Sequence, residues 1–397
     1  MRRVFLPVFL FCLQSASGQV ATIQGTWNGM LNAGVTKLHV VLHVEPDGTV
    51  KLDSPDQGNI GVPVNDVKVI GTHISGLVPA LNGSFEGELT DGATKIQGKW
   101  KRGLSFPITF ARMEDPPGLR RPQMPKPPFP YRQEDVVFAS LANDIRLAGT
   151  LTLPSGPGPF PAVVMITGSG PQDRDETMAG HKPFWVIADY LSRHGVAVLR
   201  VDDRGTGKST GDFSASTTQD FADDVEGAVN YLKSRREAGS IGLIGHSEGG
   251  VIAPMVANRS ADVKFVVLMA GTAIPGDQVF AESTAGPGDQ LAQANTPWYS
   301  FFASYDPAPA LRELKQPVLA LNGSLDVQVF AAHNLPAIGQ SLEEGDNNDY
   351  QIVKLAGLNH MFQTAKTGSP EEYATIEQTI APEVLELIAG WIDRHSK

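Results

Sequence analysis

Downstream of Arg132 the chain alternates short apolar runs with amphipathic stretches, and no other feature of the sequence restricts the fold as much. Residues 146–152 alternate apolar with polar. Residues 162–166, 196–201, 241–244, 265–270, 317–321 and 351–355 read as buried strands. Residues 184–194, 218–236, 249–260 and 382–394 carry the spacing of helices. Strands that are apolar throughout must be covered on both faces, and helices between them supply that cover. The alternation therefore predicts a mostly parallel sheet flanked by helices over 132–397.

The sequence before Arg132 follows a different rule. Leu38, Val40, Leu42 and Val44 alternate with His39, Val41, His43 and Glu45, the period of a half-buried strand. Asp47-Gly48, Asn82-Gly83 and Asp91-Gly92 are hairpin-type turns. Residues 19–113 thus read as a small all-β barrel or sandwich. His39 and His43 share a strand face, and with no third ligand in sight they read as solvated polar residues, so no metal is expected. Residues 114–131 hold Pro116, Pro117, Pro122, Pro125, Pro127, Pro128 and Pro130, which blocks helix and sheet and suits an extended connector.

Residues 1–18 begin with two arginines, continue through an apolar stretch to Leu13 and end in small residues. This is the pattern of a secretory signal peptide cleaved after Gly18, and it predicts a secreted or periplasmic protein. Cys12, the one cysteine, lies inside that segment behind the bulky Phe11, so neither a lipid anchor nor a disulfide is expected. The net charge of −11 without a basic stripe excludes nucleic acid as the main partner. No apolar run reaches the roughly 18 residues of a membrane span.

Gly245-His246-Ser247-Glu248-Gly249 fits G-x-S-x-G, and it stands between an apolar strand and a helical stretch, the setting in which such a serine becomes an exposed nucleophile. The hydroxyl then needs a base, and the base an acid, in the chain order serine, acid, histidine. Asp326 lies 79 residues after Ser247, and His360 lies 34 residues after Asp326, each just beyond a predicted strand. Ser247, Asp326 and His360 are therefore the candidate catalytic residues. His333 follows the same strand as Asp326 too closely, and His246 is expected to point away from the site. The backbone N–H of Glu248 is one candidate oxyanion donor. The loop Thr167-Gly168-Ser169-Gly170-Pro171 supplies the other, Ser169 first and Gly170 second. Gly205-Thr206-Gly207-Lys208-Ser209 looks like the end of a phosphate loop, but Asp202 stands where its first glycine is required.

Together, Gly168-Ser-Gly-Pro-Gln-Asp-Arg-Asp175, Asp202-Asp-Arg-Gly-Thr-Gly-Lys-Ser-Thr-Gly211, Gly245-His-Ser-Glu-Gly-Gly250 and Gly357-Leu-Asn-His360 resemble the secreted bacterial carboxylesterases of the α/β-hydrolase superfamily, close to serine-aminopeptidase-like hydrolases. Such proteins carry a β-rich N-terminal domain and a proline-rich connector. The resemblance implies an α/β-hydrolase fold after the all-β domain, Ser247, Asp326 and His360 as a triad, a small-molecule ester substrate and no cofactor. It also implies that Asp173–Asp175 and Asp202–Gly205 fix loops through ion pairs.

The alternatives are a peptidase, for which Glu248 is a nearby acid to hold an α-amine, and a non-catalytic polymer-binding protein, against which the full set of triad residues argues. The oligomeric state is left open. Residues 271–316 form the expected cap. With Ala285-Gly-Pro-Gly-Asp289 reading as loop, little of the segment remains for helices, which predicts a broad, open pocket. Trp298, Tyr299, Phe301 and Phe302 are its dense apolar cluster, either anchoring the cap or lining the acyl pocket.

Overall fold

The computed structural model describes residues 23–396 apart from 34–35, 46–47, 55–58, 114–120, 143 and 284–295. Residues 1–18, with Cys12, and the loop 285–289 lie outside the described residues. The chain divides into two compact units, 1–118 and 119–397.

The first unit is an antiparallel sheet of nine strands: β1 Gly25–Ala33, β2 Thr36–Val44, β3 Val50–Ser54, β4 Asn59–Pro63, β5 Asn65–Ile70, β6 His73–Val78, β7 Gly83–Thr90, β8 Lys95–Arg102 and β9 Leu104–Arg112. Their order is β4-β3-β2-β1-β9-β8-β7-β6-β5. The two edge strands are joined through Val64 alone, so the sheet has to curl until its edges approach, which makes it barrel-like. Inward-facing Trp27, Leu42, Leu52, Ile74, Ile96 and Phe110 form one core, and Phe85 meets Phe110 edge to face with ring centres 5.3 Å apart. His43 pairs with Asp53 at 2.7 Å, and among the described residues no cluster suits a metal. The side chain of His39 lies outside the described set.

The second unit has eight strands in the order β10-β11-β13-β12-β14-β15-β16-β17. These are β10 Tyr131–Ala139, β11 Arg146–Pro154, β12 Phe160–Ile166, β13 Ala197–Val201, β14 Ala238–His246, β15 Val263–Met269, β16 Val318–Gly323 and β17 Tyr350–Leu355. β10 and β11 run antiparallel to their neighbours, and all other pairs are parallel. The helices are α1 Pro183–Arg193, α2 Thr218–Lys233, α3 Gly249–Arg259, α4 Gly276–Glu282, α5 Pro297–Ser304, α6 Ala308–Glu313, α7 Ala331–Glu344 and α8 Pro382–His395.

Each face of the sheet has its own core. Leu151, Val164, Leu243 and Val266 point to one face, where Val229, Ile252 and Leu335 from α2, α3 and α7 cover them. Val163, Val198, Ile244 and Val267 point to the other, under Phe184 and Ile187 of α1 and Ile388 and Trp391 of α8. This double cover is why the strands are apolar throughout.

One expectation needs correction. The cap segment is more helical than its glycine and proline content suggested, because α4, α5 and α6 occupy most of its described part. Where it is described, the proline-rich stretch belongs to the second unit and is held there by side chains. Arg121 donates to the carbonyls of Ile376 at 2.7 Å and Ala374 at 3.0 Å, and Gln123 bonds the backbone of Thr379 and Ile380, both at 2.6 Å. Residues 121–131 are thereby fixed to the second unit. Prolines cannot pair into a sheet, so side chains carry the attachment.

Candidate active site

Parallel strands send their following loops to one edge of the sheet, and the candidate residues all arrive there. β14 ends at His246 and α3 begins at Gly249, so Ser247 sits in the sharp turn between them. Its φ is +53°, a left-handed conformation that a side chain adopts only under constraint. The constraint is visible. The N–H of Ser247 donates to Met269 O at 2.8 Å, and its carbonyl accepts from Gly250 at 2.9 Å. A Cβ on Gly245 would collide with the Gly249 backbone, and one on Gly249 with Ile166 O, so both positions have to be glycine.

Asp326 follows β16 and His360 follows β17, adjacent strands in the sheet. Asp326 Oδ2 and His360 Nδ1 are 2.8 Å apart, and both residues are buried. The second oxygen of Asp326 accepts the N–H groups of Gln328 and Val329, both at 2.9 Å, so the carboxylate cannot swing away from the ring. The ring of His360 lies 4.8 Å, centre to centre, from that of His246, next in sequence to Ser247. The loop after β12 comes equally close: a Cβ on Gly168 would sit 3.2 Å from the Cβ of Ser247. Ser169 and Gly170 follow directly, Gly170 with φ +94°, and Glu248 stands at the N-terminus of α3. The neighbouring Asp203 accepts from Thr167 Oγ1 at 2.7 Å and Gln172 N at 2.9 Å. Burial pushes its carboxyl well above the usual range.

The side chain of Glu248 does not face the open edge. It is 2 % exposed and accepts from Thr218 Oγ1 at 2.8 Å and from the indole N–H of Trp298 at 2.8 and 2.9 Å. Burial raises its pKa against these donors. Trp298 is accordingly a core residue, stacked on Phe302 with ring centres 5.4 Å apart, and it ties α5 to the serine turn. Tyr299 stacks on Phe280 and Phe301 on Tyr305. A pocket opens beside the turn, lined by Gly168, Asp203, Phe213, Phe221, Glu248 and Ile252 rather than by the aromatic residues of α5.

The acidic and arginine-bearing loops form ion pairs, as expected. Arg174 bonds both oxygens of Asp202 at 2.7 and 2.9 Å, Arg204 bonds both oxygens of Asp224 at 2.6 and 2.8 Å, and Arg200 pairs with Asp175. Glu176 is a site residue with no signature in the sequence. It is buried at φ +51° and accepts from Gly168 N at 2.8 Å.

Residues 183–318 match a family model described as serine aminopeptidase, S33. The chain is 30 % identical to Esterase EstD of Thermotoga maritima over 273 residues, 62 % of this chain and 65 % of that protein. It therefore spans just under two thirds of that relative's length. Among solved structures, an esterase of Pyrococcus furiosus superposes with a TM-score of 0.50 at 18 % identity, over 67 % of this chain and 92 % of that one. Dienelactone hydrolase of Anabaena variabilis aligns over 68 % of this chain and all of that one, with a TM-score of 0.46 and 18 % identity. The second unit has an α/β-hydrolase fold. In this α/β-hydrolase unit the serine turn, the Asp–His pair and the glycine loop after β12 share one edge of the sheet.

Proposed function

We propose that this chain hydrolyses carboxylic esters through an acyl-enzyme on Ser247, with His360 as base and Asp326 as its orienting acid. The observation that carries the reading is the buried Asp326–His360 hydrogen bond at the same edge as a serine held at positive φ. Asp326 accepts from Nδ1, which leaves Nε2 of His360 without its proton and able to take that of Ser247. The oxyanion forms beside Glu248 N–H, at the positive end of α3, and Ser169 N–H, with Gly170 N–H as the second candidate in that loop. His360 then protonates the leaving alcohol, and water releases the acid. The name of the Thermotoga relative supports ester cleavage. Because the carboxyl of Glu248 is occupied by Thr218 and Trp298, it is poorly disposed to hold a substrate amine, which favours esters over aminopeptidase substrates.

The substrate is a small ester, no cofactor is required, and the protein is exported after cleavage behind Gly18. A panel of p-nitrophenyl esters set beside aminoacyl anilides tests the reading. Ester turnover lost in Ser247→Ala is the expected result, and turnover confined to anilides would replace it with a peptidase.

A further inference from the structure

His246 takes no part in the proton transfers just described, yet it is buried and both its ring nitrogens are engaged. Nδ1 lies 2.9 Å from Glu176 Oε1, and Nε2 lies 3.1 Å from the backbone carbonyl of His360. The same Glu176 oxygen receives the N–H of Gly168 at 2.8 Å. A backbone N–H only donates, so that oxygen accepts from Gly168, and as a carboxylate oxygen it accepts a second hydrogen from Nδ1. The carbonyl of His360 is also only an acceptor. With Glu176 as the carboxylate, both ring nitrogens carry hydrogen and His246 is an imidazolium.

The pair touches three separate loops: the one after β12 through Gly168, the nucleophile turn through His246 itself, and the one after β17 through the backbone of His360. Phe184, Met269 and Phe362 line the same small space as the pair, and burial of both residues strengthens the attraction. We infer that Glu176 and His246 form a buried ion pair that positions the oxyanion-side loop and the His360 loop on Ser247. What those loops do rests on the ester reading, whereas the charge state of the pair does not.

The groups facing His246 are Glu176 after β12, Asp326 after β16 and His360 after β17, and Asp203 after β13 acts on Glu176. Burial pulls the pKa of His246 down, but the charge and hydrogen bond of Glu176 outweigh it, with Asp326 adding to them, and the pKa stands above the ordinary value. The imidazolium is lost as pH rises through that raised pKa. Positioning should fail on the alkaline side, away from the acid limb set by a general base.

The test is Glu176→Gln in the full chain. The variant keeps an acceptor for Gly168 and removes the charge. The expected result is kcat on a short ester lowered by about tenfold or more, the scale on which small misplacements cost rate, with KM little changed and the alkaline midpoint moved to lower pH. Histidine ¹⁵N NMR of the unsubstituted chain should show both nitrogens of His246 protonated at neutral pH, and the variant should show one. An unchanged kcat and pH profile in folded Glu176→Gln, or a singly protonated His246 in the unsubstituted chain, would overturn the inference. If the unsubstituted chain hydrolyses no ester, the ester reading fails by itself, and the nitrogen shifts still decide for or against the ion pair.

Discussion

Trp298→Phe keeps an aromatic ring in the core and deletes one N–H, so it isolates the tie between α5 and the serine turn. The indole N–H serves both oxygens of Glu248, and the other side-chain hydrogen bonds come from Thr218, to Oε1, and from Ser169. Hydrogen bonds to charged groups contribute about 1.5–3 kcal/mol, and losing one in a buried site exposes the full cost of desolvation. For a unit of this size roughly 2–4 °C of Tm follows each kcal/mol, which gives a loss on the order of 4–10 °C.

The loss should also depend on pH. Burial already raises the pKa of Glu248 above 4.5. A carboxyl raised in the folded state contributes stability below its unfolded pKa and loses it as pH rises through the folded value. Removing the indole donor raises that value further and widens the window of loss. The deficit of Trp298→Phe measured by calorimetry should therefore be larger near pH 8 than near pH 5, since the missing donor matters most when the carboxyl is charged. A deficit under about 1 °C, or one equal at both pH values, would refute the argument that this hydrogen bond holds a buried charge.

Asp326→Asn should leave the fold intact, since an amide oxygen still accepts from Gln328 and Val329, and should lower kcat by about 10⁴-fold by favouring the wrong tautomer of His360. Circular dichroism beside stopped-flow turnover checks both halves. Arg121→Ala removes donors to the carbonyls of Ile376, Ala374 and Ala179, and should destabilise the second unit by about 1–3 kcal/mol in urea melts without changing kcat. For the same reason a chain begun at Arg132 should be less stable than one begun at Leu119, because it lacks Arg121 and Gln123; equal melting temperatures would show that these contacts carry no stability.

The strands of the second unit were legible because burial on both faces leaves no room for polar residues, as in 162–166 and 265–270. Ser247 was legible because its neighbouring glycines follow from steric contact alone. The helix α7 was not, because Pro336 lies inside it and reads as a break. The short helices of the cap are also hard to read, since stretches this brief owe their form to packing, such as Trp298 on Phe302. His246 was expected to point away from the site, and it does turn from the open edge, but onto the loop that carries His360. Its partner Glu176 is 70 residues distant, and Trp298 stands 50 residues from Glu248. No local pattern announces pairs that only the folded sheet brings together.

The central claim is that Ser247 is an activated nucleophile, and one covalent measurement addresses it without knowledge of the substrate. The intact protein is treated with a fluorophosphonate at neutral pH, and the adduct is located by peptide mass. The account predicts one adduct, on Ser247, absent from Ser247→Ala and slowed by orders of magnitude in His360→Ala. An adduct on a different serine, or none on a folded protein, would contradict it.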